Sequence, residues 1–282
     1  MPIKVENLSY IYNPGTPFET RALDKVSLTI EDGEFVGIIG HTGSGKSTFV
    51  QHLNALMLPT EGKVWVDGED IGAMKDKSVL RQRVGVVFQY PEHQLFEENV
   101  FKDVCFGPKN MGLSEEEASN RARKALSTVG LSEEMWNKSP FELSGGQKRR
   151  TAIAGVLAME PGVLILDEPA AGLDPAGRRE ILEIVRRIHD GGTTVIMVSH
   201  SMDDVARLCS RIIVFENGRV ALDGTCARVF AHEAELRKMG LSVPQAASLK
   251  NRLNEIGFGL DGELYTVDAL AEALVSRLRP NS

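Results

Sequence analysis

The sequence predicts an α/β fold: a mostly parallel sheet flanked by helices, with an N-terminal antiparallel β-subdomain and a helical insertion. Three observations predict it. Val163-Leu164-Ile165-Leu166 and Thr194-Val195-Ile196-Met197-Val198 are short, unbroken apolar runs, the pattern of strands buried on both faces. Arg178 to Ile188, between them, reads as the crossover helix that two parallel strands need. Phe35-Val36-Gly37-Ile38-Ile39 leads directly into Gly40-His41-Thr42-Gly43-Ser44-Gly45-Lys46-Ser47-Thr48, a G-x-x-x-x-G-K-S loop between a strand and a helix start.

The elements follow in order. Residues 3–39 are strand-rich: Ile3, Val5, Leu8 and Tyr10 open the region, and Val26, Leu28 and Ile30 alternate with polar residues before a Glu31-Asp32-Gly33 turn. The helix after the glycine-rich loop begins at Phe49-Val50-Gln51-His52-Leu53-Asn54. Val64 to Gly68 is a strand and turn, and Val84 to Phe88 a further strand. The insertion spans about 99–160, where Ser114-Glu115-Glu116-Glu117 reads as a capping box ahead of Ala118, Ala122, Ala125, Leu126 and Val129 at helical spacing. Ile212 to Phe215 and Arg219 to Leu222 flank Asn217-Gly218, a type I′ hairpin signal. Residues 1–228 are expected to form the main domain and 229–282 a separate helical appendage. In the appendage, helical patterns at 230–240 and 244–256 break at Gly257 and Gly259 and resume at 267–279, with Pro244 at a helix's first position.

Composition bounds the function. The 282 residues are 42% hydrophobic and 25% charged, ordinary for a globular chain, and the net charge of -7 argues against a nucleic-acid partner. Cys105, Cys209 and Cys226 lack the paired spacing of a zinc site or disulfide framework, which points to a reducing cytoplasm. The first residues lack a signal peptide's apolar stretch, and no apolar run reaches the ~20 residues of a membrane span. The chain is therefore expected not to cross the bilayer, which leaves room for docking on something that does.

The chemistry is carried by three segments. In the loop Gly40 to Thr48, glycines let backbone N–H groups close around phosphates, Lys46 reaches the β- and γ-phosphates, and the Ser47 hydroxyl suits Mg²⁺. The following helix N-terminus favours anions, so the chain is expected to have a P-loop NTPase core that binds a nucleoside triphosphate. Asp167-Glu168 ends a buried strand, which delivers both acids to the sheet's C-terminal edge, Asp167 toward Mg²⁺ and Glu168 toward a water. Leu143-Ser144-Gly145-Gly146-Gln147 combines an S-x-x-Q cap with glycines at a helix start, a second anion site.

Taken in order, Gly40–Ser47, Gln89, Leu143–Gln147, Leu166–Glu168, Leu173-Asp174 and His200 resemble the Walker A, Q-loop, signature, Walker B, D-loop and H-loop motifs of the ATP-binding subunits of ABC transporters. The resemblance covers residues 3 to about 228 and implies an ATPase using ATP and Mg²⁺ in a head-to-tail dimer, homo- or heteromeric. It implies that Ser144, Gly145, Gly146 and Gln147 grip the γ-phosphate of the partner's nucleotide and that Asp174 crosses the interface. Glu168 would be the general base, His200 would contact the γ-phosphate, and Gln89 would touch Mg²⁺ or the water. Tyr12 best matches the adenine-stacking aromatic, with Tyr10 as the alternative. Gln89-Tyr90-Pro91-Glu92-His93-Gln94-Leu95-Phe96, with Val100, Asp103-Val104 and Phe106-Gly107-Pro108, resembles the energy-coupling factor (ECF) transporter ATPases, most closely the second of the two types paired in one complex. That implies a transmembrane coupling subunit and a substrate-binding membrane subunit as partners, import of vitamins or transition-metal ions, and a place on the cytoplasmic face of the cell membrane. The appendage is then expected to contact the dimer partner. Tyr90, Glu92, Leu95, Phe96, Glu97 and Glu98 are expected to receive an arginine-bearing coupling helix. A soluble ABC-type ATPase of translation or DNA repair is the alternative; the single cassette, the absence of a coiled coil and the acidic charge disfavour it.

Overall fold

The structure, a computed structural model, describes residues 1–278; the ends of the expected 267–279 helix and 229–282 appendage lie outside the described residues. The chain opens with β1 (Ile3–Tyr12), β2 (Thr20–Ile30) and β3 (Phe35–Gly40), followed by α1 (Lys46–Leu53), β4 (Glu61–Val66), β5 (Glu69–Asp70), α2 (Ser78–Arg83) and β6 (Val84–Val87). The insertion holds α3 (Val100–Asn110), α4 (Glu115–Thr128), α5 (Glu133–Trp136) and α6 (Gly145–Leu157). Then come β7 (Val163–Asp167), α7 (Pro175–Asp190), β8 (Thr194–Val198), α8 (Met202–Leu208), β9 (Arg211–Glu216) and β10 (Arg219–Thr225). The chain continues through α9 (Cys226–Phe230), α10 (Glu233–Lys238), α11 (Gln245–Glu255) and α12 (Val267–Leu278).

Among the described residues the strands make two sheets, one in the order β2-β1-β4-β5 and one in the order β10-β9-β3-β8-β7-β6. The first is antiparallel; the second is parallel from β9 to β6, with β10 added antiparallel at its edge. The period-2 alternation of a strand splits the apolar runs between two cores. Leu164 and Leu166 face the helical side with Val195 and Met197, whereas Val163 and Ile165 face the β-subdomain with Ile196 and Val198. That is why these runs carry no charged residue. The parallel arrangement brings the C-terminal ends of β3, β7 and β8 together, where the glycine-rich loop and the Asp167-Glu168 pair emerge. No helix among the described residues is long and apolar enough to cross a membrane.

Two local expectations need correction. Ser114 does cap α4, its Oγ accepting from the Glu117 N–H at 3.2 Å, but the capping box is not reciprocal. Glu117 is drawn forward instead to Arg121, one turn on, at 3.0 Å. Pro244 sits at the N-cap of α11 rather than inside it, and Asp203 of α8 accepts from the Gln245 N–H at 3.0 Å. The Asn217-Gly218 turn has the positive φ angles of a type I′ hairpin, 49° and 76°.

The expected boundary at 228/229 does not coincide with a break in packing. Val229, Phe230, Leu236, Leu241, Val243 and Ala247 belong to the main core; only Ala246, Leu260 and Leu270, with Leu253, Phe258, Leu264, Ala273 and Leu274 around them, form a separate cluster. A chain ending at Arg228 is therefore expected to unfold or aggregate, because each larger buried apolar side chain is worth about 1.5–3 kcal/mol. A chain ending at Gly257 keeps all six and should melt within about 5 °C of the full chain. Thermal unfolding of the two truncations is the check; equal melting temperatures would contradict this packing.

Candidate functional site: a phosphate-binding cavity at the sheet edge

The loop between β3 and α1 is shaped by two glycines. Gly40 has φ 156°, and a Cβ there would sit 2.5 Å from the Phe215 carbonyl oxygen and 2.6 Å from Ser44 Oγ. Gly45, the N-cap of α1, has φ 103°, and a Cβ there would sit 2.6 Å from the Ala22 carbonyl oxygen. The hairpin turn braces the loop from outside: the Gly218 N–H donates to the Ser44 carbonyl at 3.0 Å, and the Asp24 N–H donates to the Gly218 carbonyl at 2.9 Å. The loop's curl and the start of α1 direct backbone N–H groups into one concavity.

That concavity is a cavity of about 550 Å³ lined by Tyr12, Thr20, Arg21, Ala22, Thr42, Gly43, Gly45, Lys46, Ser47, Thr48, Gln89, Asp167, Glu168, Val198 and His200. Gly40, His41 and Ser44 belong to the loop but do not line the cavity. Tyr12 is at its mouth, its hydroxyl 3.2 Å from Thr48 Oγ1, while Tyr10 packs edge-on against Tyr12 and His52 in the β-side core. Of the two tyrosines, Tyr12 is the one that reaches the cavity. Thr20, Arg21 and Ala22 of β2 are unexpected here; nothing in their local sequence marks them, and only the β1–β2 pairing brings them to the wall.

Lys46 is buried, and its ammonium donates to the Gly40 carbonyl at 2.8 Å and the His41 carbonyl at 2.9 Å. Burial lowers its pKa, while Glu168 and Asp167 oppose the shift. Asp167, at the end of β7, is raised by burial, opposed first by a hydrogen bond from Ser47. Glu168 follows in a left-handed conformation, φ 52°, held by its N–H to the Val198 carbonyl at 3.0 Å. Burial first, and the Asp167 charge second, push the Glu168 carboxyl up to about 7. Its buried Oε1 has no hydrogen-bond partner, and His200 Nε2 lies 3.6 Å away. Burial and the Lys46 charge lower the His200 pKa, so that imidazole is neutral near pH 7. A carboxyl group with a pKa near neutrality, lining a cation-bearing cavity, is equipped to take a proton from water.

The signature residues lie outside this cavity. Ser144 and Gly145 are exposed at the start of α6, and Ser144 and Gln147 form a reciprocal capping box, Oγ accepting from the Gln147 N–H at 3.3 Å and Oε1 from the Ser144 N–H at 2.9 Å. A Cβ at Gly145 or Gly146 would meet nothing within 4 Å, so this helix start is open to a ligand from outside. Asp174 is exposed too, capping α7 by accepting from the Gly177 N–H at 2.7 Å. None of these residues meets the chain's own phosphate loop.

The segment after Gln89 is divided by the structure. Phe96 is 61% exposed and stacks edge-on with Phe106 at 4.8 Å; with Leu95, Met111 and Met159 these rings line a groove of about 440 Å³ between α2, α3 and α6. Asp103 lines the groove as well, raised by burial although the Phe96 and Glu97 N–H groups both donate to it at 2.9 Å. Glu98 is exposed and paired with Lys102, Glu97 is half-buried, and Tyr90 is exposed. Glu92 is a correction to the expected docking set. It faces inward, and its carboxylate accepts from Arg149 Nε at 3.1 Å and Nη2 at 2.7 Å. Burial pushes its pKa up, but the Arg149 hydrogen bonds win and lower it. Arg149, on α6, is a partner of this segment that no local sequence signal marks.

A family model described as ABC transporter matches residues 23–171. The energy-coupling factor transporter ATP-binding protein EcfA2 of Clostridium perfringens is 55% identical over 100% of both chains. The protein of that name from Symbiobacterium thermophilum is 57% identical over 97% of this chain and 96% of its own. Among solved structures, cbiO1 from Clostridium perfringens, part of the ABC transporter complex cbiONQ, is 40% identical with TM-score 0.75, covering 90% of this chain and 96% of that one. An ATP-binding cassette solved as a dimer in a post-hydrolysis state bound to ADP and Pi is 32% identical with TM-score 0.71, covering 79% and 98%. These matches favour the transport reading over a soluble translation or DNA-repair ATPase. With the phosphate loop, the carboxylate pair and the signature helix placed as described, the chain belongs to the ABC transporter family, among the energy-coupling factor transporter ATP-binding proteins, and is an ATPase.

Proposed function

We propose that this ATPase works from the cytoplasmic face of the cell membrane as one half of a head-to-tail dimer, powering import of a vitamin or transition-metal ion through an ECF membrane partner. One observation carries the reading: Lys46, Ser47, Gln89, Asp167, Glu168 and His200 share a cavity from which the signature residues are excluded. A second chain, turned head to tail, would supply its own Ser144, Gly145, Gly146 and Gln147 to complete the phosphate cage, with Asp174 at the interface. The α11–α12 unit adds a contact between the two chains.

Within the cavity, Tyr12 stacks on adenine, and the loop N–H groups with Lys46 hold the β- and γ-phosphates. Ser47, Asp167 and Gln89 fit Mg²⁺: one carboxylate and neutral oxygens are what this ion takes from a protein when phosphates supply the rest. Bound there, it neutralises phosphate charge. Glu168 accepts the proton of the attacking water, and neutral His200 donates to the γ-phosphate. Gln89 begins the segment that reaches the Phe96–Phe106 groove, so nucleotide state and groove shape are linked through one short stretch of chain.

The groove receives an amphipathic, arginine-bearing helix of the membrane partner, its apolar face on Leu95, Phe96 and Phe106 and its cation toward Asp103 and Glu97. Phe96→Asp combined with Glu97→Lys is expected to keep ATP affinity within about twofold, because both residues lie outside the nucleotide cavity. Substrate uptake into vesicles holding the complex should fall at least about tenfold, the effect of placing a charge in an apolar contact. Uptake at the wild-type level would overturn the docking assignment.

A further inference from the structure

Arg149 is the largest fully buried side chain among the described residues, 1% exposed. A buried guanidinium is costly to desolvate and persists where its donors are matched. Here four hydrogen bonds match them. Two go to Glu92, and Nη1 donates to the Pro169 carbonyl at 3.2 Å and the Ala171 carbonyl at 2.6 Å. The Tyr90 ring lies 5.8 Å from the guanidinium. One side chain, five residues after Ser144, thus grips the segment after Gln89 and the loop after Glu168 together.

Both gripped segments contain a non-glycine residue with left-handed backbone, Tyr90 at φ 56° and Glu168 at φ 52°. Such conformations persist only where the surroundings over-determine them, and they cluster where a site needs a fixed aim. The carbonyls that Arg149 holds lie one and three residues past Glu168, and the carboxylate it holds lies three residues past Gln89. A shift of the Gln89 segment therefore has a direct mechanical route through a planar fork to the loop that aims Glu168.

We propose that Arg149 is the positioning residue that transmits displacement of the Gln89–Leu95 segment to Glu168, tying hydrolysis to the state of the membrane-facing groove. The role rests on Glu168 as the base and on the groove as the docking face. Only arginine suits it: its fixed fork bonds a carboxylate side-on while its other arm reaches two carbonyls, whereas an ammonium is a point charge that cannot hold both sets in one geometry.

The test uses the full chain with Glu92→Gln, Arg149→Lys and the double variant, each measured for ATP affinity, KM and kcat, and each assembled with its membrane subunits for uptake per ATP hydrolysed. Expected are KM and affinity within about twofold of wild type, kcat lower by about tenfold, a lower uptake-to-hydrolysis ratio, and a double variant no worse than the worse single. A mere scaffold would instead lower affinity and kcat together, and the two substitutions would add; that pattern overturns the proposal. So does an unchanged kcat in a folded Glu92→Gln chain, which keeps the side chain's shape and decides the matter alone if Arg149→Lys fails to fold. Failure of the underlying reading is separable: a Glu168→Gln chain with normal turnover removes the base assignment whatever the Arg149 variants do.

Discussion

Glu168→Gln is expected to bind ATP as well as the native chain does and to hydrolyse it about 10²–10³-fold more slowly, the contribution of a positioned general base. The amide keeps the side chain's shape and its place beside His200 but cannot take a proton. The same substitution should also reveal how much the fold gives up to hold this carboxylate. Its pKa is raised to about 7 by burial and by Asp167, against 4.5 in the ordinary case. The group titrates with no penalty below the lower value, where it is protonated folded and unfolded. Between the two values the unfolded state ionises while the folded state still holds the proton, so stability is lost progressively. The loss is complete above about 7, where the folded state buries a charge that the unfolded state solvates freely. Nucleotide-free Glu168→Gln should therefore equal the native chain in stability near pH 4.5 and exceed it above pH 7, by on the order of 2–3 kcal/mol. Denaturant unfolding at the two pH values measures the difference; a gap independent of pH would mean that the carboxylate is not held in this way, and an active variant would mean that it is not the base.

Lys46→Ala is expected to weaken ATP affinity by about 100-fold or more. Charge-assisted hydrogen bonds are worth about 1.5–3 kcal/mol each, and no other lysine or arginine stands on the phosphate loop. The loss is moderated because Lys46 must first leave the Gly40 and His41 carbonyls, which hold it at 2.8 and 2.9 Å. Its burial, which lowers its pKa, makes the ammonium gain from a phosphate partner more than an exposed one does. A nucleotide titration decides it, and affinity close to that of the native chain would remove Lys46 from its assigned role.

Much of the fold and of the site is legible in the order of the residues. The apolar runs of β7 and β8 sit between two cores, as their lack of charged residues implies, and the Asn217-Gly218 turn has the left-handed backbone its composition calls for. Glu92 is not legible in the same way. Its neighbours Tyr90, Leu95 and Phe96 do face outward, and a carboxylate in a polar-apolar mixture gives no sign of which way it turns. Its direction is set by Arg149, 57 residues away, whose burial would be prohibitive without a partner.

By itself, then, the sequence determined what is local: the phosphate loop, the acids at the end of a buried strand, the cap of α6, and the family to which these motifs belong. Those features depend on backbone conformation and on residues within a turn of one another, which a linear string records. Tertiary structure alone decided which tyrosine reaches the cavity, that Thr20 to Ala22 form part of its wall, that the tail's first helices complete the main core, and that one buried arginine joins the segments after Gln89 and Glu168. Periodicity says that a side chain is buried but not against what. A buried charge must find its partner wherever the fold brings one, and that partner can lie anywhere along the chain.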